Sequence, residues 1–471
     1  MPGFHIEHFG CRAARADGET IAVNLRALSE REPFVADVVI VNTCSVTAEA
    51  DRAARAFIRR THRRNPAAKI VVTGCYAQRA PEELAAIAGV AAVVGNSHKA
   101  LAPEIVLGLA RGAERVGSHA SGLIPVTSLL RATAPQFSTS EPLVPIWADD
   151  RFAHSFIEEA PGGPTQLAPG AQTRPNLKIQ EGCGNRCTFC VIPFTRGPSK
   201  SLPYAAVMGK VESFVAAGGK ELVLSGINLG RWGRDLEGAE SHSLAGLVRD
   251  ILENTALPRL RLSSIEPMDW NGELIALMRE FGGRRLARHA HLPLQSGSDA
   301  VLRRMHRRYR PWHYSWKVDA LLGAVGPELT LGADVMVGFP GESEDEFAET
   351  VAFLRALPFG YLHLFPFSPR PGTAWHAAAP MEHGVIEERM AILRELAAEK
   401  TTAHRRQFVG RTIEAITLRT QAALAERGST AALTDNFVPV ELEGRVDANE
   451  LLRIRVTGLN AEGNLTALAD A

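Results

Sequence analysis

Leu177-Lys178-Ile179-Gln180-Glu181-Gly182-Cys183-Gly184-Asn185-Arg186-Cys187-Thr188-Phe189-Cys190 is the stretch on which the reading turns. Leu177 to Gln180 reads as a buried strand, and it runs directly into a C-x3-C-x2-C triplet. Three thiolates on one tight loop can hold three irons of a 4Fe-4S cluster and leave the fourth iron open as a reaction site. A closed zinc site, which wants four protein ligands, and three coincidental core cysteines are the alternatives. Outward from the triplet, strands and helices alternate from Asn176 to about Lys400. Further strands are expected at Leu222 to Ser225, Leu260 to Ser264, Ala290 to Leu294, Ala333 to Gly338 and Leu362 to Phe367. Helical spacing falls at Tyr204 to Ala217, Leu244 to Asn254, Asn271 to Arg279 and Glu344 to Leu357. This alternation predicts a full or partial parallel barrel, which carries its chemistry at the carboxyl ends of its strands, where the triplet sits.

Upstream, from Phe4 to about Ala110, Val38-Val39-Ile40-Val41 and Ile70-Val71-Val72 read as buried parallel strands of an α/β domain. Between them Asp51 to Arg64 reads as a helix with Ala54, Phe57, Ile58 and Thr61 at core spacing. Its other face carries Arg52, Arg55, Arg59 and Arg63, either a solvated face or a polyanion-binding stripe. Cys11, Cys44 and Cys75 each follow an expected strand. Strand ends of one sense gather at one sheet edge, so these thiols either converge or are separate buried cysteines.

Residues 111–173 lose periodicity and gain prolines, as in a linker or irregular crossover, with Leu143, Trp147, Phe152 and Phe156 available to pack on a neighbour. From Phe408 onward, β-rich runs at Thr412 to Leu418, Phe437 to Glu443 and Leu452 to Thr457 suggest a small antiparallel barrel. The expected division is therefore α/β multidomain: 1–110, a linker 111–173, a barrel domain 174–405 and a terminal barrel 408–471.

The chain has 471 residues, and Lys plus Arg and Asp plus Glu both number 52, so no overall field draws it to a polyanion or a membrane. No apolar run reaches the ~18 residues that a membrane span needs. Met1-Pro2-Gly3-Phe4-His5 has no basic n-region followed by an apolar segment, and a cytoplasmic location is the expectation. Six cysteines are too few for a disulfide scaffold in a chain of this length. Any polyanion contact must be local. Arg303, Arg304, His306, Arg307, Arg308 and Arg310 form one dense basic stretch, and Arg284, Arg285 and Arg288 another.

The triplet, with Phe189 before its last cysteine, resembles that of radical S-adenosylmethionine enzymes, in which the open iron takes the amine and carboxylate of that cofactor. By the same resemblance Gly218-Gly219-Lys220-Glu221 corresponds to a GGxE segment contacting the methionine amine. Ser225-Gly226, Glu266, Gln295-Ser296-Gly297 and Gly338-Phe339-Pro340-Gly341-Glu342 correspond to the lining of the cofactor pocket. Phe9-Gly10-Cys11, Asn42-Thr43-Cys44-Ser45-Val46-Thr47 and Thr73-Gly74-Cys75-Tyr76-Ala77-Gln78 resemble the amino-terminal domain of methylthiotransferases, where three cysteines hold a second 4Fe-4S cluster. The terminal segment, with Thr434-Asp435-Asn436-Phe437, is similar to a TRAM RNA-binding domain. Two positions depart from the pattern: Cys11-Arg12-Ala13-Ala14 stands where the family commonly has C-x-x-N, and His8 where it often has Thr.

This resemblance implies a methylthio transfer to carbon 2 of adenosine 37 in tRNA. The 44–52 run is most similar to the branch acting on N6-threonylcarbamoyladenosine; the alternatives are the isopentenyladenosine branch and the enzyme acting on an aspartate of a ribosomal protein. It also implies a 5′-deoxyadenosyl radical generated at Cys183, Cys187 and Cys190, and a sulfur-carrying cluster on Cys11, Cys44 and Cys75. A tRNA anticodon stem-loop, an electron donor such as flavodoxin or ferredoxin, and a sulfur donor would be the partners, with Arg303, Arg304, Arg307 and Arg308 on RNA phosphates. From another class, a non-catalytic iron-sulfur RNA-binding redox sensor would leave the cofactor-pocket segments without a purpose.

Overall fold

The computed structural model describes residues 3–31, 37–111, 144–152, 155–156, 173–238 and 242–470. Most of the expected linker lies outside them.

The amino-terminal unit is a parallel sheet in the order β1 (Phe4–His8), β2 (Val38–Thr43), β3 (Lys69–Gly74), β4 (Val90–Gly95) and β5 (Ile146–Trp147). Its strands read as unbroken apolar runs because both faces are covered. Ile40 and Val71 pack on one side with Ile21, Leu25 and Ile105, while Val41, Ile70 and Val72 pack on the other with Ile58 and Leu84. The helix Ala48–Arg64 begins at Thr47, whose side chain accepts from the Ala50 amide, and places Glu49 and Asp51 in its first turn and Arg63 and Arg64 in its last, matching the helix dipole. Arg52, Arg59 and Arg63 are exposed along it. β5 is a finding within the expected linker: Ile146 and Trp147 pair with Val93 and Val94, and Trp147 is buried. The signal was too short to read as a strand.

The central unit has six parallel strands: β6 (Asn176–Glu181), β8 (Glu221–Gly226), β9 (Arg259–Leu262), β10 (His289–His291), β11 (Thr330–Val337) and β12 (Phe359–Pro366), with the short β7 (Lys200–Ser201) antiparallel to β6. They form two hydrogen-bonded groups, β7-β6-β8-β9 and β10-β11-β12, joined where Ile265 N donates to His291 O (3.1 Å) and Leu260 bridges Leu286. The result is a partial barrel. Period-two alternation sends Leu222, Leu224, Leu260, Leu262, Leu331 and Val335 into the core beneath the helices. The opposite set faces the lumen and is polar: Glu221, Ser225, Arg259, Arg261, His289, His291, Asp334, Tyr361 and His363.

The amino-terminal unit bridges the open side of this barrel. Beyond β12, Arg370 pairs with Asp51 (2.6 Å) and Ser368 Oγ accepts from the Ala48 amide (2.9 Å). Near β6 a buried group joins Asp17, Lys99, Lys178, Glu181 and Arg196, with Lys99 to Glu181 at 2.5 Å and Arg196 to Glu181 at 2.6 Å. Burying charges is tolerable only when they are paired and hydrogen-bonded, as here.

The carboxy-terminal unit is a closed barrel in the order β13 (Thr412–Thr417), β14 (Ser429–Thr434), β15 (Pro439–Glu443), β17 (Leu465–Ala469) and β16 (Leu451–Leu459). It departs from a purely antiparallel barrel, since β15 and β17 pair in parallel. Its Thr434–Phe437 turn docks on the amino-end floor of the central barrel. Arg288 holds Asp435 through two bonds (2.6 and 2.9 Å), Arg261 donates to Thr434 O (3.1 Å), and Phe437 lies against His289 and Tyr361. Phe437 has φ 67°, the left-handed region that bulky residues rarely adopt.

Candidate active site

β1, β2 and β3 are parallel neighbours in register, with His8 beside Asn42 and Thr43 beside Gly74. Their carboxyl ends therefore lie together, and each is followed by a cysteine: Cys11 after a short turn, Cys44 and Cys75 at the next residue. Gly74 makes the approach possible. At φ 99° it lies against the Thr43 backbone, where a Cβ would stand 2.3 Å from Thr43 O. Burial and then the neighbouring thiols Cys75 and Cys11 push the Cys44 thiol up to about 12. Cys75 Sγ accepts from Arg196 Nε (3.2 Å) and Asn96 Nδ2 (3.4 Å), and Cys44 Sγ from the Val46 amide (3.4 Å). Of the two departures from the family pattern, Ala14 packs in the core, with its carbonyl taken by Asn42 Nδ2 (2.5 Å).

Cys183, Cys187 and Cys190 follow β6 at the carboxyl end of the central barrel and line a cavity of about 540 Å³ with Phe194, His306 and Thr373. The loop is pinned at both ends. Cys183 N donates to Gly197 O (3.0 Å), and Thr188 ties to Arg304 O (2.9 Å) and to Trp375 Nε1 (3.0 Å). Burial, then Cys187, pushes the Cys190 thiol up to about 12; Cys183 is raised chiefly by burial. Clustered thiols of this kind stay protonated until a metal displaces the protons. Donors already face the sulfurs to support thiolates: Arg307 Nη1 on Cys187 (3.3 Å), and the Asn185 amide (3.4 Å) and Asn228 Nδ2 (3.6 Å) on Cys183.

Both donor sets fit a cluster held by three thiolates. Around the same end of the barrel, buried Ser225 Oγ, Asn228 Oδ1, Ser263 Oγ and Gln295 Oε1 have no hydrogen-bond partner among the described residues. Such orphans call for a polar ligand, and their placement at the carboxyl ends of β8, β9 and β10 suits S-adenosylmethionine beside the Cys183 loop. Gln295 is held there at φ 68°. Phe189 packs edge-on to Phe339 beneath the loop. Glu266 pairs with Arg307 (2.6 Å), so one guanidinium ties it to Cys187.

Several expected site residues lie elsewhere. Gly218, Gly219 and Glu221 precede or begin β8, whose six residues separate them from the cofactor end by roughly 16 Å at about 3.3 Å per residue. Glu221 is fully buried on the floor, bonded to Arg261 (2.7 Å), Arg174 (3.1 Å) and Arg259 (3.2 Å), and does not face the cysteines. Gly219 is required instead by Phe214, whose ring would lie 2.2 Å from a Cβ there. Arg307 is buried on Glu266 and Cys187 and so is not a phosphate contact. Arg304 is clamped by Glu346 (2.6 and 2.7 Å), and Arg303 pairs with Asp299 (2.8 Å) on the surface. Arg308 is exposed beside Asn185, Arg231 and Arg234 in a groove next to the cysteine loop. In the second basic stretch Arg285 donates to the carbonyls of Thr255 and Leu257 and Arg288 holds Asp435, while Arg284 is exposed. Sequence reasoning gave no role to Arg196, Asn96 or Asn228. Nothing local marks Asn96, whose Nδ2 bonds both Thr195 O (2.8 Å) and Cys75. Through Arg196 and Asn96 the two three-cysteine sites share a wall.

A family model described as "Uncharacterized protein family UPF0004" matches residues 3–95, and one described as "Radical SAM superfamily" matches residues 177–354. The radical S-adenosylmethionine methyltransferase TsrM of Kitasatospora setae, solved with cobalamin and a 4Fe-4S cluster, superposes with a TM-score of 0.50 at 15% identity, covering 80% of this chain and 77% of that one, and shares the fold. The tRNA-2-methylthio-N(6)-dimethylallyladenosine synthase of Sorangium cellulosum is 32% identical over 88% of this chain and 82% of its own. The Threonylcarbamoyladenosine tRNA methylthiotransferase MtaB of Bacillus subtilis is 34% identical over 462 residues. Since that match covers 96% of this chain and 93% of the relative, the chain belongs to the radical S-adenosylmethionine methylthiotransferase family.

Proposed function

We propose that this enzyme transfers a methylthio group to carbon 2 of N6-threonylcarbamoyladenosine at position 37 of tRNA, using S-adenosylmethionine and two 4Fe-4S clusters. The observation that carries the reading is the pair of three-thiol sites, one following β6 and one at the carboxyl ends of β1 to β3, with Arg196 and Asn96 bonded to Cys75 and Asn96 also to Thr195 O of the segment after the Cys183 loop. The carbon 2 C–H bond is unactivated and acid-base groups cannot break it at neutral pH; the cofactors, when bound, supply a radical for that bond and the sulfur that replaces its hydrogen.

The chain's own residues do the placing. Cys183, Cys187 and Cys190 hold one cluster, and Cys11, Cys44 and Cys75 the other. Ser225, Asn228, Ser263 and Gln295 offer hydrogen-bonding groups to S-adenosylmethionine, with Phe189 and Glu266 positioned by Phe339 and Arg307. Arg196 and Asn96 fix the distance between the sites, which sets whether a base can reach both. The anticodon stem-loop approaches by the exposed rim with Arg303 and Arg308, and a flipped-out adenosine enters the lumen. An electron donor such as flavodoxin or ferredoxin and a separate sulfur donor complete the cycle.

The test is mass spectrometry of tRNA nucleosides from cells lacking the gene, with and without its restoration. Loss and return of 2-methylthio-N6-threonylcarbamoyladenosine is the expected result. Unchanged levels of that nucleoside, or loss of the isopentenyl derivative alone, would overturn the assignment.

A further inference from the structure

The lumen floor holds an arginine to which, among the described residues, no carboxylate is bonded. Arg12, the residue after Cys11, points from the amino-terminal unit into the central barrel. Its guanidinium stands 5.2 Å from the ring centroid of Phe437, beside Arg261 at 5.4 Å and Arg174 at 5.9 Å. The other ionisable groups facing Arg12 are Tyr361, Asp334 and Glu221.

Each of those carboxylates is already engaged. Glu221 is shared among Arg174, Arg259 and Arg261, and Arg259 also pairs with Glu414. Asp334 is bonded by His291 Nε2 (3.1 Å) and His363 Nδ1 (3.3 Å). Among the described residues Arg12 makes no hydrogen bond or ion pair, and Arg261 keeps a buried Nη1 with no partner. Arg288 holds Asp435, which also faces Arg259. Of the arginines gathered here, Arg12, Arg174, Arg259, Arg261 and Arg288, Arg12 is the one with no carboxylate bonded to it among the described residues. Its half-buried guanidinium therefore keeps its hydrogen-bonding fork free for a ligand that carries a negative charge.

The substrate proposed above carries one such charge, the free carboxylate of its threonyl group, a few bonds beyond N6. An isopentenyl group on N6 carries none. In adenine, carbon 2 and the carbon bearing N6 flank the same nitrogen, so the tail and the reacting carbon lie along one edge of the base. Cys11 and Arg12 match that arrangement, because their Cα atoms are about 3.8 Å apart and one faces the sulfur site while the other faces the lumen. Arginine's planar fork can hold a carboxylate through two parallel bonds.

We propose that Arg12 is a specificity residue that pairs with the threonyl carboxylate and so selects N6-threonylcarbamoyladenosine over adenosines with uncharged N6 substituents. This rests on the substrate reading above. Phe437 of the carboxy-terminal barrel supports the guanidinium from the side away from the substrate.

The experiment uses reconstituted enzyme and three anticodon stem-loop RNAs: one with N6-threonylcarbamoyladenosine, one with the methyl ester of its carboxylate, and one with isopentenyladenosine. Binding and kcat/KM are measured for each with the unsubstituted protein, R12Q and R12K. The unsubstituted protein should prefer acid over ester by about 10- to 100-fold, the range of a charge-assisted pair. That preference should appear in KM and in binding. In R12Q the acid-to-ester ratio should fall to near unity, and R12K should recover part of it. Iron content is read alongside. No acid-over-ester preference in the unsubstituted protein overturns the proposal even if R12Q fails to hold its clusters, and a preference that R12Q leaves intact overturns it equally. Turnover of the isopentenyl RNA with none on the threonylcarbamoyl RNA would instead overturn the substrate reading itself.

Discussion

Replacing Glu221 by Gln separates two accounts of the same residue. A GGxE segment on the cofactor predicts lost S-adenosylmethionine affinity, whereas the structure places Glu221 under three arginines on the floor. Burial by itself would raise its carboxyl, but Arg261, Arg174 and Arg259 hold it at about 2 against an ordinary 4.5. That difference of about 2.5, at about 1.36 kcal/mol for each pK unit, favours the carboxylate by about 3 kcal/mol. Breaking a buried ion pair by neutralising one partner costs about 3–5 kcal/mol, so the two routes agree in size. The pKa is lowered, so this stabilisation is complete above about 4.5 and fades as pH falls toward 2. E221Q should therefore be less stable than the unsubstituted protein by about 3 kcal/mol near pH 7, and the gap should narrow below about pH 4.5. Urea unfolding followed by tryptophan fluorescence reports this, because Trp232 and Trp270 are buried in the central core. Equilibrium dialysis on reconstituted protein gives the cofactor affinity. Stability within about 1 kcal/mol of the unsubstituted protein, together with a tenfold loss of S-adenosylmethionine affinity, would refute the argument.

Changing Cys11, Cys44 and Cys75 together to Ala should remove half of the iron and sulfide from reconstituted protein; unchanged iron would make those cysteines structural. R308A should weaken stem-loop binding and reduce the slope of log affinity against log salt by about 0.7 to 1, the effect of one lost phosphate contact. R307A should leave that slope alone and instead lower iron retention at the Cys183 loop, since its guanidinium bonds Cys187 and Glu266; the opposite pattern would return Arg307 to the RNA surface. D51N, which strips the shared anion from Arg79 and Arg370, should loosen the amino-terminal unit from the segment after β12, read as faster proteolytic separation of the two.

The elements legible in the sequence were those with a local cause. The central strands alternate or run apolar, and helices such as Leu244–Asn254 carry an apolar stripe beginning after a capping Ser243. β14 and β17 escaped notice because Ser429–Thr434 and Leu465–Ala469 are short and rich in Ala and Thr, with weak periodicity. They become strands when the barrel closes around Leu442, Ile454 and Leu465.

The sequence by itself determined the 183–190 set of thiols, because ligand spacing within that loop is local, whereas it left Cys11, Cys44 and Cys75 either converging or separate until the parallel register of β1, β2 and β3 brought their strand ends together. It also determined the order of the units. Only the tertiary structure decided what each charge faces. Arg303, Arg304, Arg307 and Arg308 are alike as text, yet one is buried on a cysteine, one is clamped by Glu346, one pairs at the surface and one lines an open groove. Glu221 likewise sits at the wrong end of its strand for the role its neighbours in sequence suggest. A charge's task depends on what faces it across space. At Arg12 those neighbours, Phe437, Asp334 and Glu221, come from parts of the chain hundreds of residues away.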